Sequence, residues 1–360
     1  MHLNDRARQN SQSLNEALFH LRSQMPPSEV ALADRLARLN EKYIGTARDK
    51  KLGTRIRALI RNVGGAANGV PSKRRALCVI GESGSGKSTA VQHAIAARKE
   101  FAPYEDSAGR LIHPLVTLEA PGSMTLQVLA LELLRAIGYP LIKPPGESEA
   151  WHLLKEQLVF RKVLFIHIDE MQHALTVNNH ATGEHISDTV KSLLQIPNWP
   201  LHIIMSGVPA FANFRENNRQ IITRSMVMEF ERVNSVPVIS DIVKRIIEVH
   251  AEMNADAHVL EPAFIARLIH AMDGAFGTCI EFTRTTVGEV LSATADSGRK
   301  ATVQPHHFAE AYANVSACEP SENIFTAKNW TAINPGNALK RMQDAFAHKR
   351  VSRKRLKETE

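Results

Sequence analysis

The stretch Gly81-Glu82-Ser83-Gly84-Ser85-Gly86-Lys87-Ser88-Thr89 decides the fold. Its first eight residues satisfy G-x-x-x-x-G-K-[ST]; the apolar run Ala76 to Ile80 precedes them and a helical pattern, Ser88 to Glu100, follows. Strand, glycine-rich turn and helix in that order are what a phosphate-binding loop requires. The glycines let the chain curl so that successive backbone N–H groups face phosphate oxygens, and the helix N-terminus adds partial positive charge. Lys87 is then placed to bridge the β- and γ-phosphates, and the Ser88 hydroxyl to coordinate Mg²⁺. The expected ligand is ATP with Mg²⁺, held along Gly81, Glu82, Ser83, Gly84, Ser85, Gly86, Lys87, Ser88 and Thr89.

Working outward from the loop, short apolar strands alternate with longer helical stretches, the pattern of a parallel sheet covered by helices. The expected strands are Ala76 to Ile80, Leu115 to Leu118, Val163 to Ile168, His202 to Met205 and Met226 to Phe230. Between them, helices are expected over Ser88 to Glu100, Met124 to Ile137, Glu147 to Phe160 and His185 to Gln195. The third strand runs into Asp169-Glu170. An acid closing such a strand supports the water bound to Mg²⁺, which is the role read for Asp169. Glu170 beside it is the natural general base for an attacking water. A water-activating base favours hydrolysis over transfer to a small molecule. His167, alternating into the same strand, reads as a buried, hydrogen-bonded side chain and not a ligand.

The N-terminal part has helical spacing from 12 to 44, broken at Pro26-Pro27, and a further helix is expected from Thr54 to Arg61 before a loop from Gly64 to Pro71. Beyond Pro237 no strand pattern recurs. Ser240 to Asn254, Pro262 to Met272, Cys279 to Thr294 and Pro305 to Val315 read as four helices, and the chain from Cys318 as an extended, basic tail with one short helix near Ala338 to Arg350. The expected domains are a helical extension (1–47), an α/β core (48–235), a helical lid (236–317) and a flexible tail (318–360).

In this arrangement the chain resembles the AAA+ P-loop ATPases, an α/β fold with a C-terminal helical lid. The resemblance implies a sensing residue at the end of the fourth strand, where Ser206 stands in Leu201-His202-Ile203-Ile204-Met205-Ser206-Gly207. It also implies an arginine before the last strand that reaches a neighbouring subunit's γ-phosphate. Arg224 is best placed, with Arg219 second. Within the superfamily, the chain from Leu77 to Val290 is similar to the transposition-regulator ATPases called TniB or TnsC. That likeness rests on the phosphate loop, His113-Pro114-Leu115-Val116 running to Ala120-Pro121, Ala136-Ile137-Gly138-Tyr139-Pro140, Ile168-Asp169-Glu170-Met171-Gln172-His173 and Ser206-Gly207-Val208-Pro209-Ala210.

The implied function is an ATP-dependent homo-oligomer, ring or helical filament, on double-stranded DNA. It would mark a target site with a target-selecting protein or complex, recruit and activate a transposase, and reset by hydrolysis. The loops Ala120 to Thr125 and Tyr139 to Ser148 correspond to those facing DNA in the family, and offer Ser123, Thr125 and Lys143. Two departures imply slow or partner-stimulated hydrolysis. Val208 stands where the family has threonine after the glycine, and Gly277 is followed by Thr278, not arginine, with Arg284 further along. A helicase loader or replication initiator shares such a core and is the alternative.

Charge agrees with a polyanionic partner. The net charge is +7, and it is concentrated in two segments. Arg48, Lys50, Lys51, Arg55, Arg57, Arg61, Lys73, Arg74 and Arg75 face Asp49 alone, and the segment from Lys340 to Glu360 is the second basic one. No apolar run reaches the roughly 18 residues a bilayer span needs, and the first ten residues lack a signal-like apolar stretch. The expected setting is the bacterial cytoplasm without membrane attachment. Cys78, Cys279 and Cys318 lack metal or redox spacing and are expected to be reduced thiols.

Overall fold

A computed structural model describes residues 3–68, 71–122, 125–175, 188–212, 219–295 and 300–336. The chain divides into two compact units, one of Met1–Leu14 and Gly45–Glu231, the other of Asn15–Ile44 and Arg232–Glu360. The stretch expected as a separate extension, 1–47, is thus shared between the two units.

The first unit is built on five parallel strands, β1 (Ala76–Gly81), β2 (Leu115–Glu119), β3 (Phe165–Asp169), β4 (His202–Gly207) and β5 (Ser225–Phe230), in the order β2-β3-β4-β1-β5. This is the parallel sheet with surrounding helices that the sequence pattern calls for. Every residue of β1 is buried, as expected of a central parallel strand covered on both faces. Strand alternation sorts the core. Ala76, Cys78, Ile80, Ile166, Ile168, Ile203 and Met205 face one side, under helices Leu126–Ala136 and Glu147–Phe160. Leu77, Val79, Phe165, Ile204, Met228 and Phe230 face the other, under helices Ala47–Gly65 and Lys87–Ala96.

The Ala47–Gly65 helix begins well before the expected Thr54. Its start is set by a capping box, in which Thr46 accepts from the Arg48 N–H and the Asp49 carboxylate accepts from the Thr46 N–H at 2.6 Å. Leu52, Ile56 and Leu59 recur at helical spacing and are fully buried against the sheet, about 1.5–3 kcal/mol of apolar transfer each. Lys50, Lys51, Arg55, Arg57 and Arg61 occupy its exposed side. A short antiparallel pair, Tyr104–Glu105 with Leu111–Ile112, was not expected. Residues 188–193 are helical, within the expected His185 to Gln195; positions 185–187 lie outside the described residues.

In the second unit, Pro262–Ala271, Phe276–Ala293 and Pro305–Ser316 are the expected helices, with modest boundary shifts. The expected Ser240 to Asn254 helix instead runs from Val236 to Lys244 and widens into a π-turn, Arg245–His250, closed by the Ala251 N–H on the Ile246 carbonyl. Two-residue strands, Asn254–Ala255 and Thr302–Val303, pair in parallel where no strand was expected. The segment from Cys318 to Gly336 is not a free tail. Ile324 is fully buried, and Phe325 stacks at 5.7 Å from Phe282 within a group that includes Phe264, Phe308 and Tyr312. Arg267 donates to the Ile324 and Ala327 carbonyls at 2.5 and 2.8 Å. The apolar Ile324-Phe325 pair outweighs its polar surroundings. The short helix expected near Ala338 to Arg350 and the basic run after it lie outside the described residues. Among the described residues no single helix is long and apolar enough to cross a membrane, and all three cysteines are free thiols.

Candidate active site

Three neighbouring strands bring their carboxyl ends together. In the order β3-β4-β1 these ends are Asp169, Gly207 and Gly81, the edge where open parallel sheets place their ligands. From β1 the chain turns through Glu82, Ser83 and Gly84, all exposed, into the Lys87–Ala96 helix. Gly86 caps that helix at φ 86°, a left-handed conformation that glycine adopts without strain. Ser88 and exposed Thr89 lie in its first turn. The Ser85 hydroxyl is buried without a hydrogen-bond partner, an orphan donor of the kind a phosphate oxygen satisfies.

The Lys87 side chain is 5% exposed, with its ammonium 3.6 Å from Glu170 Oε1. A buried cation at the start of a helix, beside the orphan Ser85 hydroxyl, suits a polyphosphate. Asp169 is buried. Burial alone would raise its pKa, but hydrogen bonds from Ser206, Ser88 and the Glu170 N–H outweigh that, and the carboxyl is held below its ordinary value. A carboxylate beside a serine hydroxyl is a hard oxygen set, which fits Mg²⁺ sharing the remaining positions with water and phosphate.

Ser206, fully buried near the end of β4, links two strands. Its hydroxyl donates to Asp169 Oδ1 at 2.5 Å, so its oxygen is left to accept from His167 Nε2 at 3.2 Å. That fixes the His167 tautomer as Nε2–H, which leaves Nδ1 an unprotonated acceptor without a partner. Burial pushes the His167 pKa down to about 4 against a smaller pull from Asp169, so the imidazole is neutral near pH 7. The structural role expected of His167 is the one seen.

Glu170 sits just beyond the strand at φ 54°. The Ala120 N–H on the Asp169 carbonyl and the Met171 N–H on the Ser206 carbonyl, 2.9 and 2.8 Å, fix the backbone on either side. One carboxylate oxygen faces Lys87, and the other accepts from the Gln172 side-chain amide. The sequence motif assigns Gln172 no role. Its spacing of two from Glu170 is the only signal, since its bond to the Val208 N–H reaches a residue just beyond β4.

Arg224 is elsewhere. Ser225 pairs with Ala76, so Arg224 sits at the amino end of the sheet, close enough to Arg75 to lower that residue's pKa, after burial. The strand from Ala76 to Gly81 puts about 16 Å between that end and the phosphate loop. Arg224 is therefore not part of the site of its own chain. Arg219 opens the same short helix, Arg219–Arg224, but its side chain lies outside the described residues. Thr125 caps the Leu126–Ala136 helix, accepting from the Val128 N–H at 3.2 Å, and Lys143 is exposed in the loop before Gly146. Gln127, in the first turn of the Leu126–Ala136 helix, donates to the Pro145 carbonyl at 2.7 Å, which ties that helix start to the loop carrying Lys143. Ser123 lies outside the described residues. Thr278 lies in the first turn of the Phe276–Ala293 helix, and half-buried Arg284 donates to the Lys42 carbonyl within the second unit.

Residues 70–214 match a family described as AAA domain. No curated protein matches by sequence. Among solved structures, the ORC1 protein of Aeropyrum pernix in complex with DNA is similar at 17% identity and TM-score 0.54, covering 80% of this chain and 73% of that one. The Aeropyrum pernix ORC2 protein in its ADPNP–ADP complexes gives 14% and 0.52 over 79% and 75%. Cdc6p from Pyrobaculum aerophilum gives 14% and 0.50 over 78% and 70%. At these identities the likeness is one of fold, and the fold is that of an AAA+ P-loop NTPase.

Proposed function

We propose that this chain is a Mg²⁺-dependent ATPase that assembles on double-stranded DNA and regulates transposition. The observation that carries the ATPase reading is the convergence of Lys87, Asp169, Glu170 and Ser206 at one sheet end. Lys87 leaves Glu170 for phosphate oxygens when nucleotide enters, and the freed Glu170 oxygen takes a proton from the attacking water. Ser88 and Asp169 would hold Mg²⁺, which neutralises charge on the phosphates when bound. Ser206 keeps the Asp169 carboxylate ionised and oriented. Arg224, remote from its own site, completes the site of the next subunit, so the active unit is a heterologous oligomer, a ring or a filament.

DNA contact is supported by the exposed side of the Ala47–Gly65 helix. Of the nine basic residues between Arg48 and Arg75, two are used inside the unit. Arg48 donates to the Glu231 carbonyl and lies 5.9 Å over the Phe230 ring, while Arg75 donates to Leu194. The other seven are exposed. With Lys143 and Thr125 repeated around an oligomer, they make a sequence-independent phosphate track. Transposase and target-selector partnership rests on the sequence likeness to TniB and TnsC. ATP would act first as the glue of the DNA-bound assembly and then, by hydrolysis, as its timer.

A replication-initiator role is the second reading, favoured by the fold shared with ORC1 in complex with DNA. Electron microscopy with random-sequence duplex and a non-hydrolysable ATP analogue, beside turnover with and without DNA, separates the two. Rings or filaments on any duplex, with DNA-stimulated turnover and stimulation of strand transfer by an integrase-type transposase, support the proposal. Monomers with unstimulated turnover contradict it, and binding to one duplex sequence alone favours the initiator.

A further inference from the structure

Glu170 and the tip of β4 are joined by a side chain to which the hydrolytic scheme gives no task. Gln172 Oε1 accepts from the Val208 N–H at 3.1 Å, and its Nε2 donates to Glu170 Oε2. Room for this bridge comes from Gly207, where a Cβ would lie 2.9 Å from Gln172 Oε1 and 3.1 Å from Phe211 Cβ. The backbone around Glu170 is fixed to β2 and β4. Its side chain is less constrained, being 27% exposed with rotatable bonds of its own. Two described contacts hold the carboxylate: Lys87 at one oxygen and Gln172 at the other. When Lys87 turns to phosphate, only the second remains of these two.

We propose that Gln172 is a positioning residue, an inference that rests on the ATPase reading above. It holds Glu170 Oε2 so that Oε1 faces the attacking water. Because the same amide is bound to Val208, a shift in the tip of β4, two residues beyond Ser206, moves the base with it. Val208 takes part through its backbone N–H, so the loss of the hydroxyl expected at that position does not remove this link.

The test compares wild type, Glu170→Gln, Gln172→Ala and Gln172→Glu for kcat and for affinity toward a fluorescent ATP analogue. Gln172→Glu keeps an acceptor for Val208 but cannot donate to Glu170. Its carboxylate also repels Glu170, so Gln172→Ala, which removes the donor without adding charge, is read beside it. The expected result is a kcat lowered roughly tenfold to a hundredfold in both Gln172 variants, with analogue affinity within about twofold of wild type, as uniform binding is untouched. A wild-type kcat in Gln172→Glu, or loss of analogue binding in both variants, overturns the inference while leaving the ATPase reading intact. Wild-type turnover no greater than that of Glu170→Gln overturns both.

Discussion

Replacing Ser206 with alanine isolates the buried chain from His167 through Ser206 to Asp169. Its hydroxyl donates to a carboxylate, a bond with a net value of about 1.5–3 kcal/mol. Its removal also strands the His167 Nε2–H, which has no other described partner, and an orphaned buried donor costs about 1–3 kcal/mol. The two effects share one cavity and are not fully additive, so a loss near 3 kcal/mol is expected. With an m-value near 3 kcal/mol/M in urea, the unfolding midpoint of the first unit falls by about 1 M. The chain holds three tryptophans, Trp151, Trp199 and Trp330, and the first two lie in that unit. Fluorescence in a Trp330→Phe background therefore reports its unfolding alone. A midpoint shift below about 0.2 M, under 1 kcal/mol at that slope, would show that the Ser206 hydroxyl contributes little to the fold.

The pH and charge predictions follow from the same geometry. His202 Nδ1–H donates to the Pro200 carbonyl and Nε2 accepts from Asn62, and burial with help from Arg75 lowers its pKa from 6.5 to about 4 despite the Pro200 bond. Below pH 6.5 the unfolded chain takes a proton that the fold refuses, so stability falls as pH drops toward 4. A loss on the order of 3 kcal/mol is expected from this residue, and His202→Gln should flatten the urea midpoint against pH by about half, His167 supplying a similar part. Changing Lys50, Arg57 and Arg61 on one exposed helix stripe to glutamine should weaken duplex binding and reduce the slope of log affinity against log salt by up to about 2.7. An unchanged slope in fluorescence anisotropy titrations would exclude that stripe from the interface.

How much was legible follows from where each signal lies. The phosphate loop, the five strands and the Asp169-Glu170 pair are local patterns, and the structure brings Lys87, Asp169, Glu170 and Ser206 to one sheet end. The Gln172 bridge was not legible because it depends on register between β3 and β4 and on a positive φ at Glu170, neither written in the local sequence. The Asn254–Ala255 and Thr302–Val303 pairing is too short to show alternation. From Cys318 to Gly336 the polar composition hides the Ile324-Phe325 pair and the Arg267 bonds that fix it. The Thr46-x-x-Asp49 box was present in the sequence and would have set the helix start correctly.

On the proposed reading, Arg224 of a neighbouring subunit completes each ATP site. Glu170→Gln chains keep the arginine but lose the base, while Arg224→Ala chains keep the base but lose the arginine. Each alone should turn over ATP slowly. Mixed in equal amounts on duplex DNA, random head-to-tail assembly pairs an intact site with an intact arginine at about a quarter of interfaces. The mixture should therefore recover about a quarter of the wild-type rate. A mixture no faster than the average of its two components, or an Arg224→Ala chain at the wild-type rate on its own, would contradict the account.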